Sequence, residues 1–230
     1  MTEHFPPYQI LNTKGEVYGL SAEIIQAALT ETPYQYKIQI FPWSRAFIMA
    51  KETKNTCIFL IARNEQREKH FQWVSSIMPT NDYFIGLADR DDLNIRTIED
   101  AKKYNVAVLK DDRTHHKLLQ LGFVENKNLY IINNAYSMLK LLTTRKEIDL
   151  ILADKINVKY RALYNNIDPS LFKTYMKLNK KPIELYFACS LGTPKEVVTV
   201  LQNAIEKIKR NGLYAKIFAQ WEQKTFNKKE

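Results

Sequence analysis

No uninterrupted apolar run in this 230-residue chain approaches the roughly 20 residues of a membrane span, which removes a transmembrane helix from the reading. Cysteine is nearly absent: Cys57 and Cys189 stand alone, with no CxxC pair and no Cys/His cluster, so the spacing gives no structural zinc site. Both cysteines lie in apolar, strand-like surroundings. Two buried thiols are the default expectation, with a single disulfide left open by the even count. The first residues, Met1-Thr2-Glu3-His4, have neither a basic nor an apolar leader segment; the chain reads as cytosolic or as one whose secretion signal has been removed. No repeat of solenoid period and no low-complexity tract occurs.

What is present is a globular composition. Hydrophobic residues make up 45% and charge is mixed, so the chain can bury a core of one large or two small domains. The net charge is +9. The basic residues are interspersed with acids, and the densest clusters, Lys177–Lys181 and Lys224–Lys229, are short. A solvated face or a small anionic ligand therefore fits better than a nucleic-acid groove.

The central stretch is Cys57–Val74, CIFLIARNEQREKHFQWV. An apolar strand, Cys57–Ala62, runs into a charged turn carrying Arg63 and Arg67, then a short apolar segment, Phe71–Val74. In open α/β sheets ligands bind outside the carboxyl ends of strands, and a guanidinium there offers a planar fork to a carboxylate or phosphate. The alternative is a solvated turn in which Glu65 and Glu68 neutralise both arginines.

Before this stretch, Phe5–Leu11 and Tyr36–Phe41 read as strands. Ser21 reads as the cap of a helix carrying Ile24, Ile25, Ala28 and Leu29, and Pro42-Trp43 opens a second helix. Beyond it, Tyr83–Ala88 is a strand ending in the charged break Asp89–Asp92. Thr97 caps a short helix, and Val106–Leu109, Leu129–Ile132 and Ile148–Ala153 are strands. Asp111–Thr114 starts a helix with Leu118, Leu119 and Leu121, ended by Gly122. Ala135, Met138, Leu139 and Leu142 give another helical face. Phe172–Leu178 and Ile183–Cys189 close the strand set. Thr193 with Pro194 begins a long helix faced by Val198, Leu201, Ile205 and Ile208, and Leu213–Trp221 forms the last; the tail from Lys224 should fray. Alternating strands and helices predict α/β architecture with mostly parallel sheets. The four histidines, His4, His70, His115 and His116, fall in charged stretches read as exposed, and offer no catalytic pair.

Five segments in order, FPPYQI with YGLSAEII, PWSRA, RNEQREKHFQWV, IDLILADK, and TPKEV with NGLYAKIFAQW, resemble the bacterial extracytoplasmic solute-binding proteins of family 3. The resemblance covers essentially the whole chain. It implies the two-lobed type II periplasmic-binding fold, with residues 1–88 plus 188–230 in one lobe and 89–187 in the other, joined by two crossing strands. It further implies a monomeric, cofactor-free, periplasmic protein, not an enzyme, that closes over an amino acid or related carboxylate and hands it to the membrane permease of an ABC transporter.

By the same resemblance, Arg67 holds a ligand carboxylate and Asp154 an ammonium. Tyr8 and Trp43 wall the site, and Arg63 and Asp112 complete the expected ligand-binding set. Asp154 also reads as a plain helix cap. Two departures stand out: Asp111-Asp112 replaces the usual Gly-Ser/Thr pair, and Phe59–Ala62 lacks hydroxyl donors ahead of Arg67 while Arg63 adds a cation. The alternatives are an enzyme on the same fold, resembling cyclohexadienyl dehydratase, or a ligand-sensing receptor module.

Overall fold

The structure, a computed structural model, describes residues 1–132, 137–145 and 147–226. By its contacts the chain divides into two units, Met1–Pro79 with Glu184–Glu230, and Thr80–Ile183.

The first unit opens on a short hairpin, β1 (Ile10–Leu11) and β2 (Val17–Tyr18), followed by α1 (Leu20–Thr30) and α2 (Trp43–Glu52). Then come β3 (Cys57–Ala62), the single turn α3 (Glu65–Glu68) and β4 (Phe71–Thr80). The chain next builds the second unit from β5 (Tyr83–Leu87), α4 (Ile98–Ala101), β6 (Val106–Leu109), α5 (Arg113–Gln120), β7 (Leu129–Ile132), α6 (Ser137–Thr144), β8 (Leu150–Ala153), α7 (Lys155–Tyr164) and β9 (Phe172–Lys177). It returns along β10 (Ile183–Ser190) and ends in α8 (Lys195–Arg210) and α9 (Leu213–Phe226).

The class is α/β, as expected, and the sheets are mixed. In the second unit the order is β7-β6-β8-β5-β9; β6 runs parallel to β7 and β8, whereas β5 runs antiparallel to β8 and β9. In the first unit the order is β3-β10-β4, with β10 antiparallel to β3. The returning strand enters from the far end of the chain, so no helical crossover dictates its direction.

Two expected strands are largely absent. Phe5–Leu11 is a tight turn in which Phe5 bridges Gln9 and the carbonyl of Phe5 accepts from the N–H of Tyr8 and of Gln9 at 2.9 and 3.1 Å. Two consecutive prolines cannot donate to a ladder, and only Ile10–Leu11 pairs. Tyr36–Phe41 keeps the composition of a strand but forms one parallel bridge, Ile40 with Thr2. Conversely, β4 continues to Thr80 through Ser75, Ser76 and Pro79, residues too polar or too proline-like to read as strand.

Helix starts were mixed in legibility. Thr97 caps α4 with a full capping box to Asp100, and Asp112 caps α5. Ser21 is not a cap; α1 starts at Leu20 behind Gly19, and the Ser21 hydroxyl donates to the carbonyl of Tyr8 at 2.8 Å. The N–H groups of Leu20, Ser21 and Ala22 donate to the carbonyls of Pro7 and Tyr8, so the chain itself satisfies the helix start. Pro194, not Thr193, sits at the cap of α8. Of the leucines read on this helix, Leu118 is buried and Leu119 is exposed. Ala135, expected at the head of α6, and residues 227–230 lie outside the described residues; Lys224 to Phe226 continue α9.

Gly19 is required by this geometry. Its φ is +119°, and a Cβ would stand 2.6 Å from the Tyr8 carbonyl oxygen. Gly19→Ala should therefore cost more than about 1 kcal/mol, read as a lowered urea midpoint with unchanged slope.

The default of two free thiols is overturned. Cys57 and Cys189 are register partners on β3 and β10 and form a disulfide across 132 residues of sequence.

Candidate functional site

In the first unit the site grows from the end of β3. The Asn64 side chain accepts from the N–H of Arg67 at 3.0 Å and caps α3, which turns the chain back on itself. This folds Arg67 inward: it is 8% exposed, its Nη1 donates to the Ala62 carbonyl at 3.4 Å, and its guanidinium lies over the rings of Trp43 (5.2 Å) and Phe47 (5.4 Å). Arg63 turns the other way. It makes a two-pronged pair with Glu68 at 2.8 and 2.6 Å and stacks on Trp73 and Tyr186. The hydrogen bond to Glu68 raises the Arg63 pKa, and the same bond lowers that of Glu68.

Trp43, Phe47, Phe71, Trp73 and Tyr186 thus form one ladder of rings, neighbours 5.5 to 6.0 Å apart, with a guanidinium near each end. The structure brings Arg67, Trp43 and Arg63 together on this ladder. Tyr8 is placed at the start of α1, 1% exposed and stacked on Phe5 at 5.4 Å.

In the second unit Asp154 follows β8 and caps α7. Its Oδ1 accepts from the N–H groups of Ile156 and Asn157 at 3.0 Å each, and its Oδ2 accepts from the Thr80 hydroxyl at 3.3 Å. Asp112 accepts from its neighbour's N–H and, at 2.9 Å, from the Thr114 hydroxyl.

Between these carboxylates runs a buried pair that the sequence did not reveal. Both terminal nitrogens of Arg113 donate to Asp82, Nη2 to Oδ1 at 2.7 Å, and the Asp82 side chain is 4% exposed. Burial works against the Arg113 charge. The hydrogen bonds to Asp82, together with the charges of Asp82, Asp112 and Asp154, outweigh it and raise the pKa. Asp112 and Asp154 are thereby brought together around one guanidinium. Thirty-one residues separate Asp82 from Arg113, and no periodicity links them.

His115 is not exposed as expected. It is buried, its Nε2 lies 2.9 Å from Glu125, and its Nδ1 accepts from the N–H of Asp111. Both ring nitrogens are engaged in holding the turn before α5. Among the described residues no helix is long and apolar enough to cross a membrane.

Two α/β units with mixed sheets, one interrupted in sequence by the other, define a periplasmic binding protein fold. The chain belongs to the bacterial extracellular solute-binding proteins, family 3, whose model matches residues 1–224. Among solved structures it is similar to a histidine kinase sensor domain with similarity to periplasmic binding proteins (TM-score 0.84, 18% identity, 96% of this chain and 93% of that one). It is also similar to an ancestral arginine-binding protein bound to arginine (0.82, 16%, 96% and 95%). A third similar structure, from a study of glutathione import via GshT and the cystine ABC importer TcyBC of Streptococcus mutans, has a TM-score of 0.80 at 15% identity, covering 94% and 89%. The sequence matches no curated protein.

Proposed function

We propose that this protein captures a small amino acid or related carboxylate outside the cytoplasm and delivers it to an ABC-transporter permease. The observation that carries the reading is the setting of Arg67, which the Asn64 cap folds inward onto the aromatic floor of Trp43 and Phe47. A desolvated guanidinium presented this way suits a carboxylate.

Asp154 takes the ligand's ammonium through the carboxylate that also caps α7, with Asp112 beside it. Trp43 and Tyr8 supply apolar walls, and Arg63 orders the ladder. The opposite charges of Arg67 and Asp154 suit the two ends of a zwitterion. Three carboxylates around the single guanidinium of Arg113 disfavour a second ligand carboxylate and favour a positive group. A solved relative of similar fold that is bound to arginine supports the same direction. The disulfide suits an oxidising compartment.

A thermal-shift screen of amino acids, dicarboxylates and amines tests this reading. A ligand at 100 times its Kd should stabilise by ~2.7 kcal/mol, about 5–11 °C for a chain of this size. Zwitterions, basic amino acids foremost, should lead. A dicarboxylate at the head of the ranking, or conversion of prephenate without stable binding, would contradict it. The sensor-domain likeness favours a second reading, the same capture event used for signalling; it differs in the downstream partner and leaves the ligand chemistry unchanged.

A further inference from the structure

Asp82 and Arg113 pair within the second unit, and both side chains are mostly buried. The backbone of Asp82 is held on both sides. Its N–H donates to Oδ1 of Asn179 at 2.7 Å, and its carbonyl accepts from the N–H of Leu178 at 2.8 Å. So held, Asp82 meets the start of α5 with its carboxylate, and each oxygen accepts from a different terminal nitrogen of Arg113. This two-pronged seat on a guanidinium is the one a ligand carboxylate would take.

The neighbouring carboxylates have other commitments. Asp112 accepts from the N–H of Arg113 and from the Thr114 hydroxyl at the start of α5. Asp154 caps α7 and accepts from the Thr80 hydroxyl. Their charges reach the guanidinium, yet among the described residues it is Asp82 that fills its fork with both oxygens. With Asp82 in place the cluster carries three negative charges against one positive. With Asp82 neutral, the fork would be open to an outside carboxylate and the repulsion weaker by one charge. One unit charge about 6 Å away, at an effective dielectric of about 20, changes affinity about 100-fold.

We infer that Asp82 sets the charge specificity of the ligand site: it occupies the carboxylate seat on Arg113 and thereby excludes amino acids whose side chain ends in a carboxylate. The inference rests on the proposed role of Asp154 as the ammonium-binding group, which brings the ligand within electrostatic range of Arg113. Asp82 is a positioning residue. It acts through the guanidinium and need not touch the ligand. Its removal reverses a preference, whereas loss of a merely structural contact weakens every ligand alike.

The test is calorimetric titration of L-arginine, L-glutamine and L-glutamate into the unaltered protein, Asp82→Asn, and the double variant Asp82→Asn with Arg113→Gln. In the unaltered protein glutamate should bind weakest. In Asp82→Asn glutamate should tighten at least about tenfold and arginine should weaken, while glutamine, near-identical in shape to glutamate, stays within about threefold. The double variant removes the opened fork and should restore the original order. Equal weakening of all three in Asp82→Asn, or an unchanged gap between glutamine and glutamate, overturns this inference and leaves the capture reading standing. Failure of all three to bind the unaltered protein contradicts the capture reading and this inference with it. Removing one partner of a buried pair is strongly destabilising. Should Asp82→Asn fail to fold, the double variant, with no buried charge in the pair, is the deciding protein. It should keep the order of the unaltered protein; a loss of glutamate affinity at least tenfold beyond that of glutamine would make Arg113 a ligand contact and overturn the inference.

Discussion

Arg67→Ala should remove ligand binding, weakening affinity by at least about 100-fold, while the protein still unfolds cooperatively. Charge-assisted hydrogen bonds contribute roughly 1.5–3 kcal/mol each, and a guanidinium fork on a carboxylate makes two. Even the lower end, about 3 kcal/mol, exceeds two decades of affinity. The fold should lose less. Arg67 packs over Trp43 and Phe47, and a partly desolvated cation–π contact is worth about 1–2 kcal/mol.

Arg67→Lys should fall between the two, since it restores the charge without the planar fork. Arg63→Ala is the internal comparison. Its charge is already met by Glu68, so affinity should change less than about threefold. Isothermal titration of the four proteins against the strongest binder of the thermal screen reads all of this. If Arg63→Ala eliminates binding and Arg67→Ala does not, the two arginines have exchanged roles and the anchor lies at the Trp73 end of the ladder.

The second large effect concerns stability. Replacing Cys57 and Cys189 together by alanine should lower it by about 2–5 kcal/mol, a fall of very roughly 4–20 °C in Tm. The bond closes a loop spanning 132 residues, and that loop contains the whole of the second unit. In the chain-entropy view a loop of this length gives about 5 kcal/mol, the upper end of what disulfides deliver. Cys57 and Cys189 are already paired across β3 and β10, so the backbone need not move when the bond is absent. The effect should therefore appear in Tm and denaturant midpoint, with little change in affinity well below the transition. Reduction of the unaltered protein should reproduce it, whereas the double variant should not respond to reductant. A Tm that is the same with and without reductant would show that the bond does not contribute.

These two sites also mark where the sequence could be read and where it could not. Local chemistry was legible. The α8 face of Leu201, Ile205 and Ile208 is buried where the 3.6-residue period placed it, and Thr97 makes the capping box its neighbours specify. The arginine-bearing turn after Cys57–Ala62 was visible because an apolar run and a charge cluster meet there.

What was hidden depends on partners remote in sequence. Tyr36–Phe41 has strand chemistry, but a strand needs a neighbour, and only Ile40 finds one. Arg63 and Arg67 look alike in sequence, and only the Asn64 cap decides which turns inward. Asp82 and Arg113 reveal themselves as a pair only once β5 and α5 are placed. His115 looked solvated because its sequence neighbours are polar, yet the turn before α5 buries it.

The central claim is that one ligand carboxylate meets Arg67 and one ligand ammonium meets Asp154. The most direct measurement is a cycle of affinities. The strongest zwitterionic binder, its decarboxylated amine and its deaminated acid are each titrated against the unaltered protein, Arg67→Ala and Asp154→Asn. Loss of the carboxylate should cost the unaltered protein and Asp154→Asn heavily but add almost nothing in Arg67→Ala; loss of the ammonium should cost almost nothing further in Asp154→Asn. Full additive losses in every combination would place the ligand's charges on other residues and contradict the account.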